Sequence, residues 1–178
     1  MQYPHKPVMV NEVLRYLVTV KDGIYIDGTA GTGGHSEAIL GRLSDKGRLI
    51  CVDRDRDAIT IASARLKNYG DKVIFVRANF ADLHLVLKDV GIIKVNGILL
   101  DLGMSTYQLD QSGRGFSFNR DERLDMRMDQ NEGITAEDIV NNFSACDLEA
   151  IFKNFGEEKK ARAISRLIEV ERCKGPIT

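Results

Sequence analysis

Residues 24–36 read IYIDGTAGTGGHS, and they restrict the possible folds more than any other stretch of the chain. A short apolar run (Ile24, Tyr25, Ile26) ends on Asp27, a turn carrying Gly28, Gly31, Gly33 and Gly34 follows at once, and Ser36 opens a helical pattern. A strand that runs through a glycine turn into a helix start is a cradle for a nucleotide-type cofactor, because the turn lets backbone approach the ligand closely. The carboxylate selects among such cofactors. Phosphates over the turn would be repelled by Asp27, whereas S-adenosylmethionine carries an ammonium and a sulfonium and would be attracted. The P-loop pattern needs a lysine after its last glycine, but Gly34 and His35 stand there; G-x-G-x-x-G is half present, since Ser36 takes the place of its third glycine. A glycine-rich connector without a ligand is the competing reading.

Around this turn, strand and helix patterns alternate. The sequence predicts an amphipathic helix over 8–18 and strand one over 24–27. A helix follows from about Ser36, with Gly47 as its stop. Strand two spans 48–53, a helix 57–69, strand three 72–77, a helix 82–90 and strand four 95–102. Three strand–helix units with short links imply a parallel sheet. Strands two and four read as near-continuous apolar runs, as strands buried on both faces do. Later, Thr135–Asp138 and Ser144–Asp147 have capping-box spacing. Two apolar stripes follow: Leu148, Ile151, Phe152 and Phe155, then Ala161, Ile164, Leu167 and Ile168. They predict helices that pack together.

Composition narrows the function classes. A net charge of −1 gives no global footprint for a polyanion, so any nucleic-acid site must be local. Cys51, Cys146 and Cys173 form no C-x-x-C pair, which suits reduced thiols and a cytoplasmic location. No signal peptide opens the chain, no run approaches a membrane span, and His5, His35 and His84 show no metal-ligand spacing. Neither a membrane nor a metal is expected.

Strand ends in such a sheet line the ligand crevice. Asp53, at the end of strand two, suits two ribose hydroxyls; a helix-entry carboxylate is its alternative. Phe80, after strand three, could cover an adenine face or pack in the core, and the residues do not decide between them. Asp101, after strand four, faces the place where a methyl acceptor would dock. A carboxylate there can accept hydrogens from an exocyclic amine, localise its lone pair and leave a transfer that depends on positioning. A carboxylate bonded only to backbone or cofactor is the alternative. No cysteine stands near this strand end to attack a pyrimidine ring carbon.

His5-Lys-Pro-Val8, DGTAGTGGHS (27–36), DRD (53–55), DLG (101–103), QLD (108–110), RGFSF (114–118), LDMRMD (124–129) and FGEEKKA (155–161) run in one unbroken order. Together they closely resemble the bacterial small-subunit ribosomal RNA cytosine-N(4) methyltransferases, the MraW/RsmH family. The resemblance implies an α/β fold, a Rossmann-like S-adenosylmethionine-dependent methyltransferase sheet with an inserted small helical subdomain. It implies methylation of a cytidine amine in 16S rRNA, with ribosomal RNA in the small subunit as partner. By matched motif it places cofactor contacts at Gly33, Gly34, His35, Asp53, Phe80, Asp101 and Gln108, alongside Asp27 and Gly31 of the turn, and it favours the adenine-covering role of Phe80. The role of Gln108 comes from the resemblance alone. Tyr107 and Glu122-Arg123 depart from the family pattern.

The expected division is a cofactor-binding core over 1–104, holding the first half of the sheet, and a long loop plus helical substrate-recognition subdomain over 105–178. Family members run on for roughly another hundred or more residues, so strand four would be an uncovered edge, a setting for association. Either the chain is a fragment, or a partner covers the edge, for instance in a homodimer. Other substrate classes and a cofactor-binding fragment inactive on its own remain alternatives. NAD chemistry is disfavoured by Asp27, and DNA amino-methylation by the lack of prolines after Asp101. In the long loop, Arg114 and Arg127, with Arg120 and Arg123, could hold phosphates; internal pairing with the interleaved acids is the slightly preferred reading. Phe116 and Phe118 could stack on bases or anchor the loop. Lys159, Lys160, Arg162 and Arg166 read as a solvated helix face.

Overall fold

A computed structural model describes residues 7–178. His5 and Lys6 of the opening motif lie outside the described residues. The chain divides into two compact units, Met1–Tyr107 and Gln108–Thr178.

The first unit is built on a four-stranded sheet of β1 (Ile24–Asp27), β2 (Arg48–Asp53), β3 (Val73–Arg77) and β4 (Gly97–Leu99), ordered β3-β2-β1-β4. All three pairings are parallel, with Ile26 opposite Ile50 and Ile98. Side chains alternate across a strand. Tyr25, Leu49 and Cys51 therefore enter one core, with Ile39, Leu40 and Leu43 of α2 (Gly34–Arg42), Leu66, and Leu14 and Leu17 of α1 (Val10–Leu17). Ile26, Ile50 and Val52 enter the opposite core, against Leu83, Val86 and Leu87 of α4 (Leu83–Asp89). Burying side chains of this size contributes roughly 1.5–3 kcal/mol each, which is what holds helices on both faces.

Several boundaries differ from those read in the sequence. α2 ends at Arg42 with Leu43 extended, so Gly47 is not its stop. Gly47 is instead crowded: a Cβ there would stand 2.6 Å from the Lys21 carbonyl oxygen. The third helix is α3 (Arg56–Arg65), followed by a separate 3-10 segment, Lys67–Lys72. β4 pairs over three residues only and is half exposed, with Ile98, Leu100 and Leu102 open to solvent. β1, its one partner, turns away into the glycine turn after Asp27, and the final ladder bond runs from the Gly28 N–H to the Leu99 carbonyl (2.9 Å). Among the described residues no strand pairs with Leu100–Leu102. β2, flanked on both sides, is buried as its apolar run implies.

The second unit carries α6 (Ala136–Asn142), α7 (Ala145–Gly156) and α8 (Ala161–Arg172); the short α5 (Thr106–Asp110) interrupts the expected long loop. Thr135 and Asp138 form a full capping box, while Ser144 caps α7 through the Asp147 N–H. Leu148 and Ala161 are buried where α7 meets α8. Leu167 and Phe155 are exposed, against expectation. Ala161, Ile164, Ser165 and Ile168 make the inward stripe of α8, and Leu167 lies about 100° round the helix from Ile168. Phe155 sits in the last turn of α7, where no described residue covers it. Among the described residues no helix is long and apolar enough to cross a membrane.

Candidate cofactor site

Strand order reverses between β1 and β4, since the chain moves outward from β1 to β2 and β3 and then returns to its other side. Ligands of parallel α/β sheets bind at such a reversal, outside the carboxyl ends of the strands. The turn 27–36 stands there and is held down on both sides. The Ala30 N–H donates to the Val52 carbonyl (3.0 Å), and the Gly33 N–H to that of Ala30 (2.8 Å). Gly33 caps α2 with φ +81°, and a Cβ on it would stand 3.3 Å from the Ala62 Cα, so only glycine fits without strain.

Three carboxylates surround the turn, each held differently. Asp53 accepts the Gly31 N–H at 2.9 Å through Oδ2 and the Asp55 N–H at 2.9 Å through Oδ1. It braces the turn and the entry to α3 together, while Asp55 itself caps α3. A carboxylate has about four lone-pair positions, so Asp53 keeps capacity for two hydroxyls. Burial raises its pKa, opposed by those two N–H bonds. Asp101 donates its N–H to the Thr29 Oγ1 (2.7 Å), and its side chain, 46% exposed, lies 3.7 Å from the His35 Nδ1. Asp27 departs from its expected role as a direct contact. It is 1% exposed, with Oδ2 taking the Ser36 hydroxyl (2.6 Å) and Oδ1 the Thr29 N–H (3.3 Å). Its bonds shape the turn from beneath.

Burial raises the Asp27 carboxyl above its ordinary value, and the Ser36 and Thr29 bonds only partly oppose this. The folded protein then holds that proton more tightly than the unfolded chain. The stability contributed is complete below the unfolded value and is lost as pH rises through the raised folded value. Asp27→Asn cannot ionise. Urea unfolding across a pH series is expected to show the variant gaining on the wild type as pH rises through that window; parallel curves would refute the assignment.

The remaining expected residues divide clearly. Gly31 and Gly33 have positive φ, and Gly34 starts α2 under the ring of Pro7. His35 is buried, with Nε2 2.8 Å from the Val8 carbonyl oxygen. Phe80 begins a 3-10 turn capped by Asn79 and is 42% exposed, which removes the core-packing reading. Arg65 reaches the Thr32 carbonyl (3.4 Å) but is paired to Glu37 at 2.7 Å. Sequence reasoning missed Thr29 and Ser36, whose hydroxyls tie Asp101 and Asp27 to the turn. A hydroxyl two residues and another nine residues after a strand-terminal carboxylate was the available signal. Cys51 is buried beside Ser36 and its thiol is pushed up to about 12 by burial, so it is no nucleophile.

In the second unit, Gln108 is buried. Arg114 is buried too, and its guanidinium donates to the Met128 (2.9 Å) and Arg127 (3.4 Å) carbonyls. Arg127 makes a two-pronged bond to Asp125 (2.9 and 2.8 Å), which lowers the Asp125 pKa. Arg127 pairs with an interleaved acid, as the internal-pairing reading expects, whereas Arg114 orders the loop through backbone carbonyls. Phe116 is half-buried and Phe118 fully exposed, so only the former suits an anchor. Lys159, Lys160, Arg162 and Arg166 are exposed.

A parallel sheet sandwiched by helices, with a glycine turn and carboxylate-tipped strands at its order reversal, defines a Rossmann-like methyltransferase fold. The chain belongs to the MraW methylase family, which it matches over residues 2–178. It is 49% identical over its whole length to a protein of Agathobacter rectalis named ribosomal RNA small subunit methyltransferase H 2, covering 57% of that relative. It is 46% identical to proteins named ribosomal RNA small subunit methyltransferase H from Lachnospira eligens and Clostridium botulinum, over 99% of the chain and 56% and 57% of theirs. The chain thus spans a little over half the length of these relatives.

Proposed function

We infer that the first unit binds S-adenosylmethionine and belongs to an enzyme that methylates the exocyclic amine of a cytidine in 16S ribosomal RNA. The observation that carries this reading is the turn at the sheet's order reversal, fixed to Asp53 and flanked by Asp27 and Asp101, with no lysine or arginine among residues 27–36. Such a surface suits a cationic, phosphate-free adenosyl ligand and opposes a pyrophosphate. When bound, the cofactor supplies a methyl group activated as a sulfonium.

The chain's own residues have separable parts. Asp53 takes the ribose hydroxyls, Phe80 covers the adenine, and the backbone of Gly31, Gly33, Gly34 and His35 lines the near wall. Asp101 accepts hydrogens from the acceptor amine and aims its lone pair. Transfer to a pyrimidine ring carbon would need a covalent thiolate, and the buried Cys51 cannot supply one. The names of the relatives support small-subunit ribosomal RNA as substrate, and the motif resemblance supports cytosine N4.

Thermal unfolding with S-adenosylhomocysteine at 100 times its dissociation constant is expected to show about 2.7 kcal/mol of stabilisation, and NAD none. Tritium from labelled cofactor is expected in N4-methylcytidine when the full-length protein meets 30S subunits lacking the modification, and not in naked DNA. Label in another nucleoside, or none, overturns the substrate assignment.

A further inference from the structure

Building on the donor-binding reading above, we propose that His35 and Asp101 form a proton-accepting pair, with His35 Nδ1 the final holder of the proton that the acceptor amine gives up. The Val8 carbonyl oxygen, 2.8 Å from Nε2, can only accept, so Nε2 carries the hydrogen. That bond fixes the tautomer, and the neutral ring presents a bare lone pair at Nδ1. Opposite it, at 3.7 Å, stands the Asp101 Oδ2. Two acceptors therefore face each other with no hydrogen between them, an arrangement that gains a bond when one proton arrives. The distance exceeds a hydrogen bond, but among the described residues Asp101 is anchored by its N–H on Thr29, and its half-exposed side chain has room to swing inward. His35, by contrast, is buried and pinned under the Pro7–Val8 strap, since Pro7 packs on Gly34.

The step balances as a proton transfer. An N–H bond of the newly methylated amine breaks with its electron pair left on nitrogen, and the proton forms an O–H bond at Asp101. It then passes to the Nδ1 lone pair, restoring the carboxylate and leaving an imidazolium beside it. The second transfer ends in a charge-assisted pair, the imidazolium N–H facing the restored carboxylate.

His35→Gln separates this role from a structural one, since the glutamine amide nitrogen can replace Nε2 toward Val8 and offers no basic nitrogen toward Asp101. In the full-length enzyme, its calorimetric affinity for S-adenosylhomocysteine is expected to stay within about threefold, while single-turnover methyl transfer to 30S subunits falls on the order of 100-fold. Nitrogen-15 imidazole spectra of the wild type are expected to show a hydrogen on Nε2 and a lone pair on Nδ1, with Asp101→Asn moving the Nδ1 signal and leaving Nε2 in place. An unchanged transfer rate in the variant, a loss of rate matched by an equal loss of cofactor affinity, or a hydrogen on Nδ1 of the neutral ring overturns the pair while leaving the donor-binding reading intact. Failure of the wild type to bind the cofactor or transfer a methyl group overturns both.

Discussion

Asp53→Ala is expected to lose at least about 100-fold in affinity for S-adenosylhomocysteine. Two hydroxyl bonds to a charged acceptor contribute roughly 1.5–3 kcal/mol each, and each 1.4 kcal/mol is about tenfold in affinity. The same substitution strips the Gly31 and Asp55 N–H groups of their shared acceptor, so the turn loses its brace as well as its contact. Asp53→Asn separates the two effects. Its amide oxygen can still receive the Gly31 N–H, but its amide nitrogen meets the Asp55 N–H donor to donor, and the negative charge is gone. Calorimetric titration of both variants is the measurement. Full affinity in Asp53→Ala would reduce Asp53 to a helix-entry residue and remove the main support for an adenosyl ligand.

Tyr25→Ala is expected to destabilise the first unit by about 3–5 kcal/mol, the range for deleting a large buried aromatic side chain. Tyr25 is fully buried in the central strand. Its ring packs beside Gly97, where a Cβ would come within 3.2 Å of it, so the side chain also sets how closely β4 approaches β1. Its hydroxyl closes the turn before β1 by pairing with both the N–H and the carbonyl of Val20 at 3.0 Å. Tyr25→Phe keeps the volume and loses only those bonds, and is expected to cost about 1–3 kcal/mol. Urea unfolding of both variants gives the two contributions separately. Equal costs would mean that the hydroxyl, and not the ring, holds this core.

Both effects concern residues whose importance the sequence signals in different degrees. Asp53 stands at the end of an apolar run, and the run's limits, 48 to 53, are those of β2. A strand buried on both faces leaves a continuous apolar record that one polar residue ends. β4 leaves nearly the same record over 95–102 but pairs over three residues only, because pairing length belongs to the neighbour as much as to the strand. The Thr135–Asp138 box was legible because all its bonds lie within four residues.

Local chemistry therefore determined the alternation of strands and helices, the caps and the placing of carboxylates at strand ends, since each depends on residues close together in the chain. The tertiary structure alone decided which way those carboxylates turn. Asp27 faces inward to Ser36, Asp53 spans the turn and the next helix, and Asp101 meets His35 from 66 positions away (101 − 35). It likewise left Phe80 in solvent and drew Arg114 into its loop. A side chain's direction follows from the sum of partners that the whole sheet brings within a few ångströms, and no short window of sequence contains that sum.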